Sequence, residues 1–313
     1  MQDFLIDELT AQLNNPEIYW VDGPPNNENG QIVKMRVAFV PTRQIPKGSF
    51  IVIPGRTEYI EKYAKTITEL NDRGFNVLIV DNRGQAMSDR LLDDKMLGHI
   101  DSFDNAAIHI QAAFLKLRDR LPEPLYMLSH SMGGMIAMHI LLQDYIPTLK
   151  AAIFNAPMWW LKPLPFARQL SAAVCALGMR KKTAMGTRHI WSPQPFSTSD
   201  VTHSPHNFRR NSSLMLSEPR LQLGGPTNQW INKSFQMMAG FTKEKLEKVK
   251  MPVLIYQAGE ELIVDNDAQN RIATDLPDAR LVRIDGAMHE IMVEKEEYRQ
   301  KFWQYFDEFM KSN

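Results

Sequence analysis

The chain is predicted to be an α/β protein with a mostly parallel central sheet covered by helices on both faces. Short apolar runs that suit buried strands alternate with helical patterns along most of its length. One run, at 125–128, passes through Ser129-His130-Ser131-Met132-Gly133-Gly134 directly into a helical pattern at Met135, Ile136, Met138, Ile140 and Leu141. A serine between strand and helix, with glycine two places on, is the sequence mark of a strained turn that lifts a hydroxyl above a sheet edge.

The elements follow in order. Residues 1–16 carry a short amphipathic helix pattern at Phe4, Leu5, Leu9 and Leu13. Residues 18–21 and 32–40 form a predicted hairpin, joined by the turn-rich Asp22-Gly23-Pro24-Pro25-Asn26-Asn27. Apolar residues at 50–53 predict a buried strand ending at Pro54-Gly55-Arg56-Thr57-Glu58, followed by a helix over 59–73 that Gly74 stops. A second buried run at 76–80 ends at Asp81-Asn82-Arg83-Gly84. Ser102 or Asp104 can cap a helix running to about Leu121, where Pro122 and Pro124 intervene. After the serine turn come a helix to about Tyr145 and strands at 151–155, 253–257 and 281–284. A last helix is expected over about 290–311, where Tyr298, Phe302, Tyr305, Phe306 and Phe309 repeat at helical spacing.

Between 155 and 245 the alternation breaks down and the charge becomes lopsided. Residues 156–235 hold ten lysines and arginines against two acids, a net charge of +8 in a chain whose Lys+Arg and Asp+Glu both total 36. The expected organisation is therefore a core of 1–155 and 246–313 with a cap insertion at 156–245. Such a cap could present basic and apolar groups to anionic lipid.

Zero net charge gives no case for nucleic-acid binding. The single cysteine, Cys175, excludes an intrachain disulfide framework and fits a reducing compartment. The first residues are acidic and interrupted, unlike a secretory signal. The longest apolar run, 170–179, is about half of the roughly 20 residues a membrane span needs. The expectation is a soluble cytoplasmic protein, with peripheral contact to an anionic membrane surface through the cap.

The chemistry legible in these residues is acyl transfer by serine. It needs a nucleophile, a base, an acid that orients the base, and donors for the oxyanion, with no metal or organic cofactor. Ser131 is the candidate nucleophile. The base is expected to be His289, which follows the strand at 281–284 and a glycine turn; His130 is a rival by adjacency, although neighbours on a sharp turn point apart. For the acid, three carboxylates compete after the strand at 253–257: Glu261 ranks first, Asp265 second and Glu260 third. The oxyanion donors are expected to be the main-chain N–H groups of Met132 and Arg56. Met158, Trp159, Trp160, Leu161, Leu164 and Phe166 could line an acyl tunnel, and Arg209 and Arg210 could meet a lipid phosphate. For each of these cap residues the plainer role, core packing or solvated surface, competes.

Together these segments resemble the monoglyceride-lipase-like branch of the α/β-hydrolases, most closely its bacterial lysophospholipases of the PldB type. The resemblance covers nearly the whole chain. It rests on Pro54-Gly55-Arg56, Asp81-Asn82-Arg83-Gly84-Gln85, the 129–134 turn, Gln257-Ala258 with Glu261 and Asp265, and Gly286-Ala287-Met288-His289-Glu290. Inside the cap, Thr202-His203-Ser204-Pro205 and Leu223-Gly224-Gly225-Pro226-Thr227 are the more discriminating matches. The resemblance implies removal of the acyl chain from lysophospholipids, acyl transfer to phosphatidylglycerol, and residence at the cytoplasmic face of the inner membrane. The chain departs from the branch in two ways: Glu261 stands where aspartate is usual, and Ala86 stands where a second glycine is common. The 81–88 loop is expected to brace the serine turn. A monoacylglycerol lipase or broad carboxylesterase is the alternative within enzymes, and a non-catalytic lipid-binding scaffold the alternative outside them.

Overall fold

The computed structural model describes residues 3–162 and 166–313. Its centre is an eight-stranded sheet in the order β1-β2-β4-β3-β5-β6-β7-β8. The strands are β1 (Glu17–Pro25), β2 (Ile32–Val40), β3 (Gly48–Ile53), β4 (Phe75–Val80), β5 (Leu125–His130), β6 (Leu149–Asn155), β7 (Val253–Ala258) and β8 (Ala279–Ile284). β2 runs antiparallel to β1 and β4, and every other pairing is parallel. β3 to β7 are buried almost throughout, which is why they read as continuous apolar runs rather than alternating ones. β1 lies at the sheet edge, where Pro24 and Pro25 are tolerated because no further strand needs their missing N–H groups.

The helices are α1 (Ala64–Asp72), α2 (Phe103–Leu117), α3 (Met132–Gln143), α4 (Ala167–Val174), α5 (Pro205–Ser217), α6 (Asn228–Ala239), α7 (Lys243–Leu246), α8 (Asn266–Asp275) and α9 (Glu296–Ser312). The sheet separates two apolar cores. One holds α2, α3 and the near side of the insertion, with Phe39, Met135, Phe154 and Trp159; the other holds α1 and α9, with Phe50, Tyr256, Phe302 and Phe306. α4 to α7 all lie in the segment between β6 and β7, where the strand–helix alternation lapses. None of the helices described is long and apolar enough to cross a membrane.

Two expected helices differ. Over 3–16 only a short turn, Thr10–Gln12, is helical. Asp7 and Thr10 bond to each other's main-chain N–H groups, and Asn15 adopts φ 43° just before Pro16, so the pattern never propagates. The last helix starts at Glu296, because the residues after His289 are committed to the site described next.

Candidate active site

Ser131 sits between β5 and α3 with φ 50° and ψ −120°, a backbone region that non-glycine residues rarely adopt. The surroundings hold it there. Its N–H donates to Asn155 O at 3.1 Å, and its carbonyl accepts from Met158 N–H at 2.9 Å and Gly134 N–H at 2.8 Å. Gly133 is required because a Cβ at that position would drive into the carbonyls of Ile53 and Pro54. Ser129, in the place of the usual glycine, is buried in β5.

The structure brings Ser131, His289 and Glu261 together from the ends of β5, β8 and β7. His289 Nε2 lies 2.8 Å from Ser131 Oγ, and Nδ1 lies 2.7 Å from Glu261 Oε2. With its proton on Nδ1, the imidazole donates to the carboxylate and accepts from the hydroxyl, which satisfies both contacts. All three side chains are buried, and Ser131 keeps only 8% of its surface open. The second oxygen of Glu261 accepts from the N–H groups of Ile263 at 2.8 Å and Val264 at 3.2 Å. Burial alone would raise the Glu261 pKa, but His289 and these two amides outweigh it and hold it below the usual carboxylate value.

The other two carboxylates stay out of reach. Asp265 caps α8, accepting Asp267 N–H at 2.9 Å, and exposed Glu260 faces His203 Nε2 at 3.2 Å. His130 also points elsewhere: its Nδ1 lies 3.0 Å from Asn155 O, and burial pushes its pKa down to about 4.

The loop after β3 lies directly against the serine, since a Cβ on Gly55 would stand 3.2 Å from Ser131 Cβ. No described residue accepts a hydrogen bond from the main-chain N–H of Arg56 or Met132, so both donors are free. The loop itself is pinned. Glu58 accepts Gly55 N–H, Gln85 Oε1 accepts Thr57 N–H at 2.7 Å, and Asn82 Nδ2 donates to Pro54 O at 2.7 Å. The 81–88 segment thus braces the loop after β3, and Ala86 takes φ 48°, a conformation that suits glycine better than alanine.

Trp159 is fully buried core, its Nε1 donating to Gly134 O at 3.2 Å, while Trp160 packs edge-on against Phe235. Met158 is also buried, and Leu161 bridges to Val264. Phe166 is exposed, and Leu164 falls outside the described residues. Arg210 is clasped by Asp7 at 2.7 and 3.1 Å and by the Glu61 carbonyl at 2.9 Å, so its guanidinium is already engaged. Arg209 is exposed on α5.

Sequence reasoning missed two supporting groups. Lys62 lies between Glu58 at 2.8 Å and Glu290 at 2.6 Å, tying the loop after β3 to the residue after His289. Glu294 accepts from Met288 N–H at 3.1 Å and from His203 N–H at 2.9 Å, clamping the histidine loop to the Thr202-His203-Ser204-Pro205 motif. The i,i+4 spacing of Glu58 and Lys62 and the six-residue step from Met288 to Glu294 are local, whereas Lys62 meets Glu290 across 228 positions and His203 meets Glu294 across 91.

Residues 44–296 match the family described as serine aminopeptidase, S33. The chain belongs to this family. It is 36% identical to lysophospholipase L2 of Escherichia coli (strain K12) over 267 residues, covering 80% of this chain and 76% of that protein. Among solved structures, a monoglyceride lipase from Saccharomyces cerevisiae superposes with TM-score 0.70 at 18% identity, covering 96% and 97% of the two chains. A carboxyl esterase from Bacillus coagulans superposes with TM-score 0.74 at 15% identity, covering 94% and 98%. These neighbours share the fold, and the eight-stranded sheet of this family member is that of the α/β-hydrolases.

Proposed function

We propose that the chain is a serine esterase that cleaves the acyl ester of lysophospholipids, releasing fatty acid and a glycerophosphodiester. The observation that carries the chemistry is the unbroken relay from Glu261 through His289 to Ser131, beside two uncommitted N–H groups. Ser131 Oγ attacks the ester carbonyl as its proton passes to His289 Nε2. The N–H groups of Arg56 and Met132 receive the oxyanion, and Glu261 stabilises the imidazolium. His289 then protonates the leaving glycerol oxygen. Water, or an acceptor alcohol in acyl transfer, attacks the acyl-enzyme and restores the serine. The substrate class draws support from the lysophospholipase relative at 36% identity.

In this reading 156–245 acts as a cap that docks on an anionic membrane surface. Phe166, Leu177, Met185 and Ile190 are 76%, 74%, 86% and 64% exposed, and Arg168, Arg180, Lys181, Lys182 and Arg188 are interleaved with them. Apolar side chains that protrude among cations fit a surface whose headgroups are negative and whose interior is apolar.

The test is a panel of lysophospholipids and monoacylglycerols of one chain length, with Ser131→Ala as control. Serine-dependent turnover with lysophospholipids preferred supports the proposal. Preference for monoacylglycerol would give the monoacylglycerol lipase reading instead, and no serine-dependent turnover at all would leave a lipid-binding scaffold.

A further inference from the structure

Arg56 is a cation with no acid beside it among the described residues. No described carboxylate lies within ion-pair distance of its guanidinium, which donates through Nη2 to the Gly224 carbonyl and lies 5.5 Å from the centre of the Trp230 ring. Its Nε is buried with no hydrogen-bond partner among the described residues. Gly98 has no room for a Cβ because the guanidinium fills that space. Gly224 N–H donates to Met96 O at 2.8 Å, and Gly98 N–H donates to Gly225 O at 3.1 Å, so the Leu223-Gly224-Gly225-Pro226-Thr227 motif forms the seat of this one side chain. Burial and the nearby Arg90 push the Arg56 pKa down to about 10, the direction expected of a cation that lacks a counter-charge.

Arg56 lines an open groove of about 510 Å³ whose other lining residues, from Thr187 to Pro226, all belong to the insertion. Arg188 also lines it, its guanidinium 3.5 Å from Ser192 Oγ, and Asp200 is the one acid among the described lining residues. Arg56 therefore addresses the site twice. Its N–H, without an acceptor among the described residues, lies on the loop beside Ser131, and its side chain lines the groove. In a lysophospholipid the phosphate is separated from that carbonyl by one glycerol unit, and an arginine is well suited to a phosphodiester.

We propose that Arg56, assisted by Arg188, receives the headgroup phosphate, and so distinguishes a lysophospholipid from a monoacylglycerol. Arg209 and Arg210 are not needed for this role. The proposal rests on the esterase reading of Ser131.

The experiment measures kcat/KM for a lysophosphatidylethanolamine and a monoacylglycerol of the same chain, in the full-length protein and in Arg56→Met, Arg56→Lys and Arg188→Ala. The ratio of the two values is the readout, because any change common to both substrates divides out. The expected result is at least a tenfold fall in the ratio for Arg56→Met, partial recovery in Arg56→Lys, and a fall of a few-fold in Arg188→Ala, which lies on the surface and keeps the fold. Glycerophosphoethanolamine should compete with monoacylglycerol better than inorganic phosphate does, and this advantage should vanish in Arg56→Met. Unchanged ratios in Arg56→Met and Arg188→Ala, with lysophospholipid turnover intact, would overturn this assignment alone. Competition by inorganic phosphate only would overturn the headgroup assignment. Absence of lysophospholipid turnover in the unmodified protein would overturn the esterase reading, and this one with it.

Discussion

Glu58 accepts the main-chain N–H of Gly55 while its other oxygen pairs with Lys62 at 2.8 Å, so a buried acid sets the shape of the loop that carries Arg56. Burial would raise its pKa, but Lys62, His130 and Tyr63 outweigh this and hold it down to about 2. Glu58→Gln weakens the anchor and leaves Lys62 with Glu290 alone. Losing an oxyanion donor outright costs about 3 kcal/mol in barrier. Partial misplacement should therefore lower kcat by roughly tenfold to a hundredfold, with KM less affected. Steady-state kinetics on a soluble p-nitrophenyl ester checks this, and an unchanged kcat would remove Glu58 from the account.

Glu261 and Asp265 should separate cleanly. Glu261→Gln leaves the imidazole without its orienting charge, and loss of the equivalent acid in serine enzymes costs on the order of 10⁴ in kcat. Asp265→Ala should leave kcat intact and cost about 1 kcal/mol of stability, because it removes only a helix N-cap. Kinetics paired with urea denaturation of both variants gives the comparison.

Acid should destabilise the fold well above the carboxylate range. Burial pushes the pKa values of His109 and His130 down to about 4, so both stay neutral in the folded state while the unfolded chain takes up protons from about pH 6.5. Because the unfolded state binds more protons in that window, stability falls as pH drops from 6.5 toward 4. Each histidine contributes roughly 2 kcal/mol to the loss between pH 7 and pH 5. His109→Gln, whose amide can still donate to the Val21 carbonyl, should flatten the urea-measured pH dependence by about that amount. An identical slope in the variant would show that His109 titrates normally.

Vesicle binding should depend on both halves of the insertion's surface. Leu177→Ser with Met185→Ser removes two exposed apolar side chains, each able to contribute about 1.5–3 kcal/mol when fully buried in lipid. Co-sedimentation with phosphatidylglycerol-rich vesicles should fall sharply in this variant, and in the unmodified protein at high salt. Binding that ignores both changes would dismiss the docking surface.

All eight strands were legible because apolar runs bounded by turn residues have few other uses in a chain of this kind. The junction at Ser131 was legible for a related reason: a strand, a strained serine and a close-packed Gly133 leave a local trace. What could not be read was long-range. Lys62 and Glu290 meet across 228 positions, and nothing near either residue announces the other. The same holds for Arg56, whose seat is built by Gly98 and Gly224. Glu260, Glu261 and Asp265 share one short loop, and only its fold brings the second of them to His289. The final helix begins late because Glu290 N–H is taken by the Val201 carbonyl at 2.8 Å and Glu294 by the clamp on Met288, contacts that helical periodicity does not register.

If His289 activates Ser131, labelling with a fluorophosphonate followed by intact-mass analysis reads that activation at the nucleophile itself. The expected result is one covalent adduct on the unmodified protein, mapped to Ser131, none on Ser131→Ala, and strongly slowed labelling of His289→Ala. A folded, unmodified protein that takes up no label, or an equal adduct on Ser131→Ala, would contradict it.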